Sequence, residues 1–200
     1  MAAGEEIDTW LLVEHPPVIT LGRSAKREHL LLSPEALAAR GIDCVEVERG
    51  GDVTYHGPGQ LVLYPIMKLP RFREVVPLVS ALEEATIAAL RSFGVSAQGR
   101  GEHRGVYVGD KAICAIGLAI RKMTSLHGMA LNVCTALHYD TLITPCGRPE
   151  FGITSIARET NEQISVEQAK RPLMQAVAEL FHLDFETAQA LSPDTHLLAS

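Results

Sequence analysis

The chain has 200 residues, 46% of them hydrophobic and 21% charged, the balance of an ordinary globular protein with enough apolar side chains for a core. Lys and Arg total 18 against 24 Asp and Glu, a formal charge of −6, and no basic block is long enough to neutralise a row of phosphates, which argues against a nucleic-acid binder. The acidic start MAAGEEIDTW is unlike a signal peptide, and the most apolar stretch, Ala112 to Ile120, is about half of what a membrane span needs. A cytoplasmic protein with no membrane attachment is expected.

There is no internal repeat or Ser/Gly linker, so the expectation is a single domain over residues 1–200. Trp10 to Val13 forms an apolar run, Pro16 and Pro17 interrupt it, and a second run ends at Gly22; both predict strands. Ser33, Pro34 and Gly41 frame a short helix as N-cap, first helical residue and terminator. Cys44 to Glu48 alternates as a strand should, a glycine-rich segment spans Gly50 to Gly59, and Gln60 to Ile66 is rich in β-formers. Val75, Val79, Leu82, Thr86, Leu90 and Phe93 recur at helical spacing before Gly94. Strands return at Gly105–Gly109, from Lys111 to Ile120 and from His127 to Val133. The last helix opens on Ser165 and Gln168 as a capping box, and Pro172 inside it predicts a kink or a split. Strands outnumber helices and come in runs. The expected class is therefore α+β (mixed α/β): a mixed sheet with helices against one face.

Two segments could carry chemistry. The loop from Glu48 to Gln60 concentrates glycines with Arg49, Tyr55, His56 and Gln60; it reads either as a ligand-approaching backbone or as a long hairpin. It is no nucleotide fingerprint, since Gly57-Pro58-Gly59 precedes a strand and no GxxxxGK[ST] exists in the chain. Cys146, between Pro145, Gly147 and Pro149, sits on a predicted turn, whereas Cys44, Cys114 and Cys134 lie in apolar runs where a thiol behaves as a small hydrophobe. No CxxC pair occurs, so all four are expected as reduced thiols. Cys146 is either a nucleophile with a lowered pKa or an inert loop cysteine. Lys111 opens an apolar strand, as a solvated strand start or as an ammonium at the edge of an apolar pocket; His56 and His127 are other possible thiol partners. Cys134 and His138 lack a second ligand pair, so no metal is expected.

Together RGGDVTYHGPGQLVLYPI (49–66), GVYVGDKAICAIG (105–117), HGMALNV (127–133) and TPCG with GITS (144–155) resemble the lipoyl(octanoyl) transferases of lipoate biosynthesis. The resemblance implies the fold shared with biotin and lipoate ligases, and transfer of an octanoyl group to a lysine of an acceptor protein through a thioester on Cys146, with Lys111 lowering the thiol pKa. It implies octanoyl-acyl carrier protein as donor, and lipoyl domains of 2-oxoacid dehydrogenase complexes and the glycine cleavage H protein as acceptors. The family's acyl-binding segments match Arg49, Gly50, Gly51, Asp52, Val53, Thr54, Tyr55 and His56, then Ala115, Ile116 and Gly117, then Gly128, Met129 and Ala130. A thioester is already activated, so no cofactor and no ATP are expected.

Two features depart from the family pattern. Only nine residues precede Trp10, fewer than the resemblance implies. The lysine, usually five residues before the glycine of the IG pair, stands six before Gly117. On a regular strand one residue reverses the face, so a β-bulge or a loop start is expected to restore the facing of Lys111. An ATP-dependent lipoate or biotin ligase, or a non-catalytic acyl-binding module, are the competing readings.

Overall fold

The computed structural model describes residues 8–101, 103–144 and 151–185. The turn expected at Cys146 lies outside the described residues. Among those described, the strands divide into two sheets. The larger runs β1 (Thr9–Val13), β5 (Gln60–Ile66), β9 (Thr124–Asn132), β8 (Lys111–Arg121), β7 (His103–Val108) and β6 (Gln98–Arg100), with the two-residue β10 (Gly152–Ile153) beside the start of β8. The smaller sets β2 (Val18–Leu21) between β3 (Asp43–Glu46) and β4 (Val53–His56). β10 on β8 and β3 on β2 are parallel and the remaining pairings antiparallel, so the mixed sheet expected from the sequence is present.

Helices α2 (Val75–Arg91) and α4 (Val166–Phe181) pack on one another and on one face of the large sheet. Leu61, Leu63, Met129 and Leu131 from the strands meet Leu82 and Leu90 of α2 and Leu173 and Val177 of α4, all buried. Each such side chain contributes about 1.5–3 kcal/mol by leaving water. The Ser165–Gln168 capping box forms as read, with both reciprocal bonds present. Of the kink or split expected at Pro172, the split does not occur: α4 runs through it. Ala169, Leu173, Ala176 and Val177 are buried on either side of it, and that packing outweighs one lost backbone hydrogen bond.

The smaller sheet covers a second cluster, in which Ile19, Val53 and Tyr55 meet Leu37 of α1 (Pro34–Ala38), Tyr139 and Ile143. The Tyr55 and Tyr139 rings stack with centroids 4.6 Å apart. β4 arises inside the glycine-rich segment because Val53 and Tyr55 turn into this cluster while Thr54 and His56 turn the other way. β6 and the short helix α3 (Ile156–Thr160) were not expected, and β9 begins three residues earlier than the HGMALNV run. Cys134 is also a correction: it is exposed, because β9 ends at Asn132 and the chain turns as the Val133 and Cys134 amides both donate to Gly59 O.

β8 contains the expected bulge, with the expected consequence for the lysine. Val106 pairs with Cys114 and Tyr107 with Ala112, leaving Ile113 as the extra residue. Ile113 and Cys114 are both buried in the helix-side core. Ala112 therefore shares the face of Ala115, and both line a small cavity with Tyr55 and Tyr139. Lys111 pairs with Val108, which packs on the helix-side core, and so leaves β8 on the face opposite Ala115 and Gly117. That is the side a lysine five residues before the glycine takes on a regular strand, so the bulge restores its facing. Among the described residues no helix is long and apolar enough to cross a membrane.

The sheet joint at β5 and β9 has no spare room. A Cβ added to Gly128 would lie 1.9 Å from Leu63 O, an atom of strand backbone that cannot move aside alone. Gly128→Ala is expected to cost about 3 kcal/mol or more, whereas Gly99→Ala, whose Cβ would meet nothing nearer than 3.8 Å, should cost under about 1 kcal/mol. Urea denaturation of the two variants checks this.

Candidate functional site

Between the sheets lies a cleft floored by small residues. On β5, β9 and β8 the cross-strand pairs Val62, Ala130 and Ala115 share one face, and Gly128 lies opposite Gly117 beyond them. The second sheet approaches this face closely enough that a Cβ on Gly117 would stand 2.8 Å from Gly50 O. Gly50 N donates to Leu118 O at 2.8 Å, which joins the sheets through backbone.

Arg49 forms the wall beside that joint. It is 6% exposed. Its Nη2 donates to Thr20 O and Thr20 Oγ1, both at 2.8 Å, Nε donates to the same hydroxyl at 3.2 Å, and Nη1 to Gly50 O at 3.1 Å. A buried cation is tolerable only with its donors satisfied, and these bonds fix the guanidinium against β2. The resulting cavity, of about 120 Å³, is lined by Thr20, Val47, Arg49, Thr54 and His56 on one side, and by Val62, Tyr64, Ala115 to Gly117 and His127 to Ala130 on the other. A larger groove of about 920 Å³ runs along Arg23, Lys26, Leu30 and Leu31 at the surface and holds none of the motif residues.

Of the residues singled out from sequence, Arg49, Thr54, His56, Ala115, Ile116, Gly117, Gly128, Met129 and Ala130 thus converge on one cavity. Gly50 backs Gly117, and Gly51, at φ +90°, makes the turn into β4. Asp52 binds the neighbouring segment, accepting from Lys26 N at 3.2 Å and pairing with His29 Nδ1 at 2.5 Å. Val53 and Tyr55 belong to the second core rather than to this cavity. Lys111 is half exposed, with Nζ 4.0 Å from Glu159 Oε1. Cys146 lies outside the described residues; the flanking Thr144 donates its amide to His29 O at 2.8 Å.

Sequence reading missed Thr20, Val47, Val62, Tyr64 and His15 here. Val62 and Tyr64 follow Gln60 at period two, a signal that could have placed them on its face. His15 was out of reach, because only the pairing of distant strands brings its Nε2 to within 2.7 Å of Tyr64 OH. His127 sits in the left-handed region at φ +61°, uncommon for a non-glycine residue, and its ring meets Tyr64 edge-on at 6.5 Å.

The cleft disfavours positive imidazole. Burial pushes the His56 pKa down to about 4, and His15, Arg49 and His127 push the same way against the Gln60 hydrogen bond. Burial lowers His15, and burial with the Arg49 charge lowers His127. Burial also drives the Cys114 thiol up to about 12 and raises Cys44 and Cys134. Thiolates are therefore disfavoured at all three described cysteines.

Residues 1–178 match the lipoyl protein ligase A/B catalytic domain family. The chain is 45% identical over 180 residues to the octanoyltransferase of Syntrophobacter fumaroxidans, covering 90% of this chain and 79% of that protein. It is 46% identical to the octanoyltransferase of Deinococcus radiodurans, covering 86% of this chain and 55% of that longer protein. Among solved structures, a putative lipoate protein ligase from Thermoplasma acidophilum with bound lipoic acid superposes with a TM-score of 0.74 at 19% identity, over 88% of this chain and 73% of that one. Biotin protein ligase from Aquifex aeolicus with biotin and ATP gives 0.57 at 14% identity, over 82% and 70%. The fold is that of the lipoate and biotin ligases.

Because His56 titrates lower when folded, the unfolded chain binds more protons between pH 6.5 and 4. The stability it contributes is full above 6.5 and falls as pH drops toward 4. At pH 5 the loss from this one group is about 2 kcal/mol. The melting temperature should fall from pH 7 to pH 5, and fall by less in His56→Gln; calorimetry at the two pH values measures the difference.

Proposed function

Since the chain belongs to the octanoyltransferase family, within the lipoyl protein ligase A/B catalytic domains, we propose that it moves an octanoyl group from a carrier thioester to a lysine amine of a lipoyl domain, as a step of protein lipoylation. The observation that carries this reading is the convergence of three separate sequence segments on one small-residue cleft. Ala115, Gly117, Gly128 and Ala130 leave a slot without side-chain bulk, bounded by Val62 and Tyr64, and an alkyl chain gains about 0.8 kcal/mol for each methylene it buries.

Cys146 is the nucleophile in this reading. The thiolate attacks the carrier thioester, the acyl carbon exchanges one sulfur for another, and the carrier thiol leaves; the exchange is near isoenergetic and needs no ATP. The acceptor amine then attacks the enzyme thioester, forming the amide and returning the thiol. The raised pKa values of the other three cysteines favour Cys146 for this role. Lys111 enters as the cation that stabilises the thiolate, its field partly offset by the Glu159 carboxylate. Acyl carrier protein as donor follows from the family reading, and both partners meet the enzyme as proteins.

The test is intact mass after exposure to octanoyl-acyl carrier protein without ATP or acceptor. One octanoyl adduct should appear, release with neutral hydroxylamine, and be lost in Cys146→Ala while persisting in Cys44→Ala, Cys114→Ala and Cys134→Ala. An adduct on another cysteine, or turnover by Cys146→Ala, contradicts the thioester route. For the lysine, Lys111→Ala should move the iodoacetamide alkylation profile of Cys146 to higher pH. An unchanged profile removes Lys111 from the reaction.

A further inference from the structure

A chain of hydrogen bonds settles which nitrogen of His56 carries the proton. Asn132 Nδ2 donates to Thr154 O and to Tyr139 OH, each at 3.0 Å. Thr154 O is a backbone carbonyl and can only accept, so the Asn132 amide cannot be turned round and its Oδ1 faces Gln60. Gln60 Nε2 donates to Asn132 Oδ1 at 3.0 Å and to Tyr55 O, again a backbone carbonyl, at 3.2 Å. Both Gln60 N–H groups are thereby used. The oxygen left, Oε1, lies 2.7 Å from His56 Nδ1, so Nδ1 carries the hydrogen. In a neutral ring, Nε2 is then a bare lone pair.

Among the described residues Nε2 has no partner. No fully buried side-chain nitrogen or oxygen among them lacks one either, so Nε2 borders open space, and His56 lines the cleft. Gln60 and Asn132 are 3% and 4% exposed, which makes the relay rigid. The groups facing the ring are His15, Arg49, His127 and Tyr64; burial leads in keeping it neutral at pH 7.

We propose that His56 accepts a hydrogen bond from the incoming amine in the second half of the transfer, and that Gln60 and Asn132 are positioning residues that hold its Nε2 lone pair toward the cleft. This rests on the octanoyl-transfer reading. The same tautomer excludes His56 as a donor to the tetrahedral oxyanion, since a lone pair would repel it. As the amine attacks, nitrogen uses its own lone pair to form the C–N bond, the C–S bond breaks with its electron pair on sulfur, and the proton shed by nitrogen ends on the departing thiolate. Nε2 orients that N–H and is unchanged at the end of the cycle.

The test couples a spectrum to separated half-reactions. In ¹⁵N-histidine-labelled protein at pH 7, His56 should show protonated Nδ1 and unprotonated Nε2, and Gln60→Leu should move the population toward Nε2–H. In single turnovers, Gln60→Leu should slow aminolysis of the preformed octanoyl-enzyme by roughly ten-fold more than it slows acylation, with the acceptor KM changed less than kcat. A wild-type ring protonated at Nε2 overturns the proposal whether or not the variant folds. Equal slowing of both halves, or an unchanged tautomer in Gln60→Leu, overturns it too. Absence of any octanoyl adduct on the wild-type protein would instead sink the transferase reading and leave the tautomer result standing.

Discussion

One buried guanidinium joins the two sheets. Arg49 has its donors on Thr20 and Gly50 while its aliphatic stem lies against Gly117, so the charge belongs to the small sheet and the stem to the large one. Everything that makes the cleft depends on that arrangement. Gly117 must lack a side chain for Gly50 to reach Leu118, and Gly22 must lack one because its Cβ would stand 2.6 Å from Arg49 Nη1. The glycines of the motif are thus set by the bulk of the arginine and by backbone contact between sheets. Removing one partner of such a buried charge costs far more than the pair is worth in isolation, because the remaining polar groups stay desolvated.

Burial and the same charge together shape the chemistry of the cavity. Burial leads in opposing protonation of His56 and His127 and Arg49 adds to it, so the imidazoles around an apolar slot remain neutral acceptors and donors rather than cations. Neutral imidazoles suit a reaction in which an amine must arrive with its lone pair free. The slot itself is made by alternation: Ala115 and Gly117 face it from β8 while Cys114 and Leu118 fill the core behind. One residue of slippage would exchange these sets.

That sensitivity explains what could be read from the sequence. α2 and α4 were legible because their apolar residues repeat at helical spacing, and the capping box at Ser165 marked where α4 begins. The split offered as one outcome at Pro172 weighed local backbone preference without the α2 contact that keeps α4 continuous. β4 was hidden by glycines on both sides, although Val53-Thr54-Tyr55-His56 alternates cleanly once its partner β2 is known. The three acyl-binding segments were recognisable as motifs, yet their meeting in one cavity depends on pairings such as Gln60 with Asn132, 72 positions apart. The bulge at Ile113 was foreseeable as a need of register. Its exact place depended on both Ile113 and Cys114 turning into the core, a packing outcome with no local signal, and it puts Lys111 on the expected side.

The central claim is that the cleft beside Arg49, rather than the larger surface groove, holds the acyl chain. Intermolecular NOEs between octanoate and protein carrying ¹³C-labelled alanine, methionine and leucine methyls test it directly, because the two cavities share none of these residues. Contacts from the octanoate chain to the Ala115 and Ala130 methyls are expected. Contacts confined to Ala25, Leu30, Leu31 and Leu32 would place the chain in the other groove and contradict it.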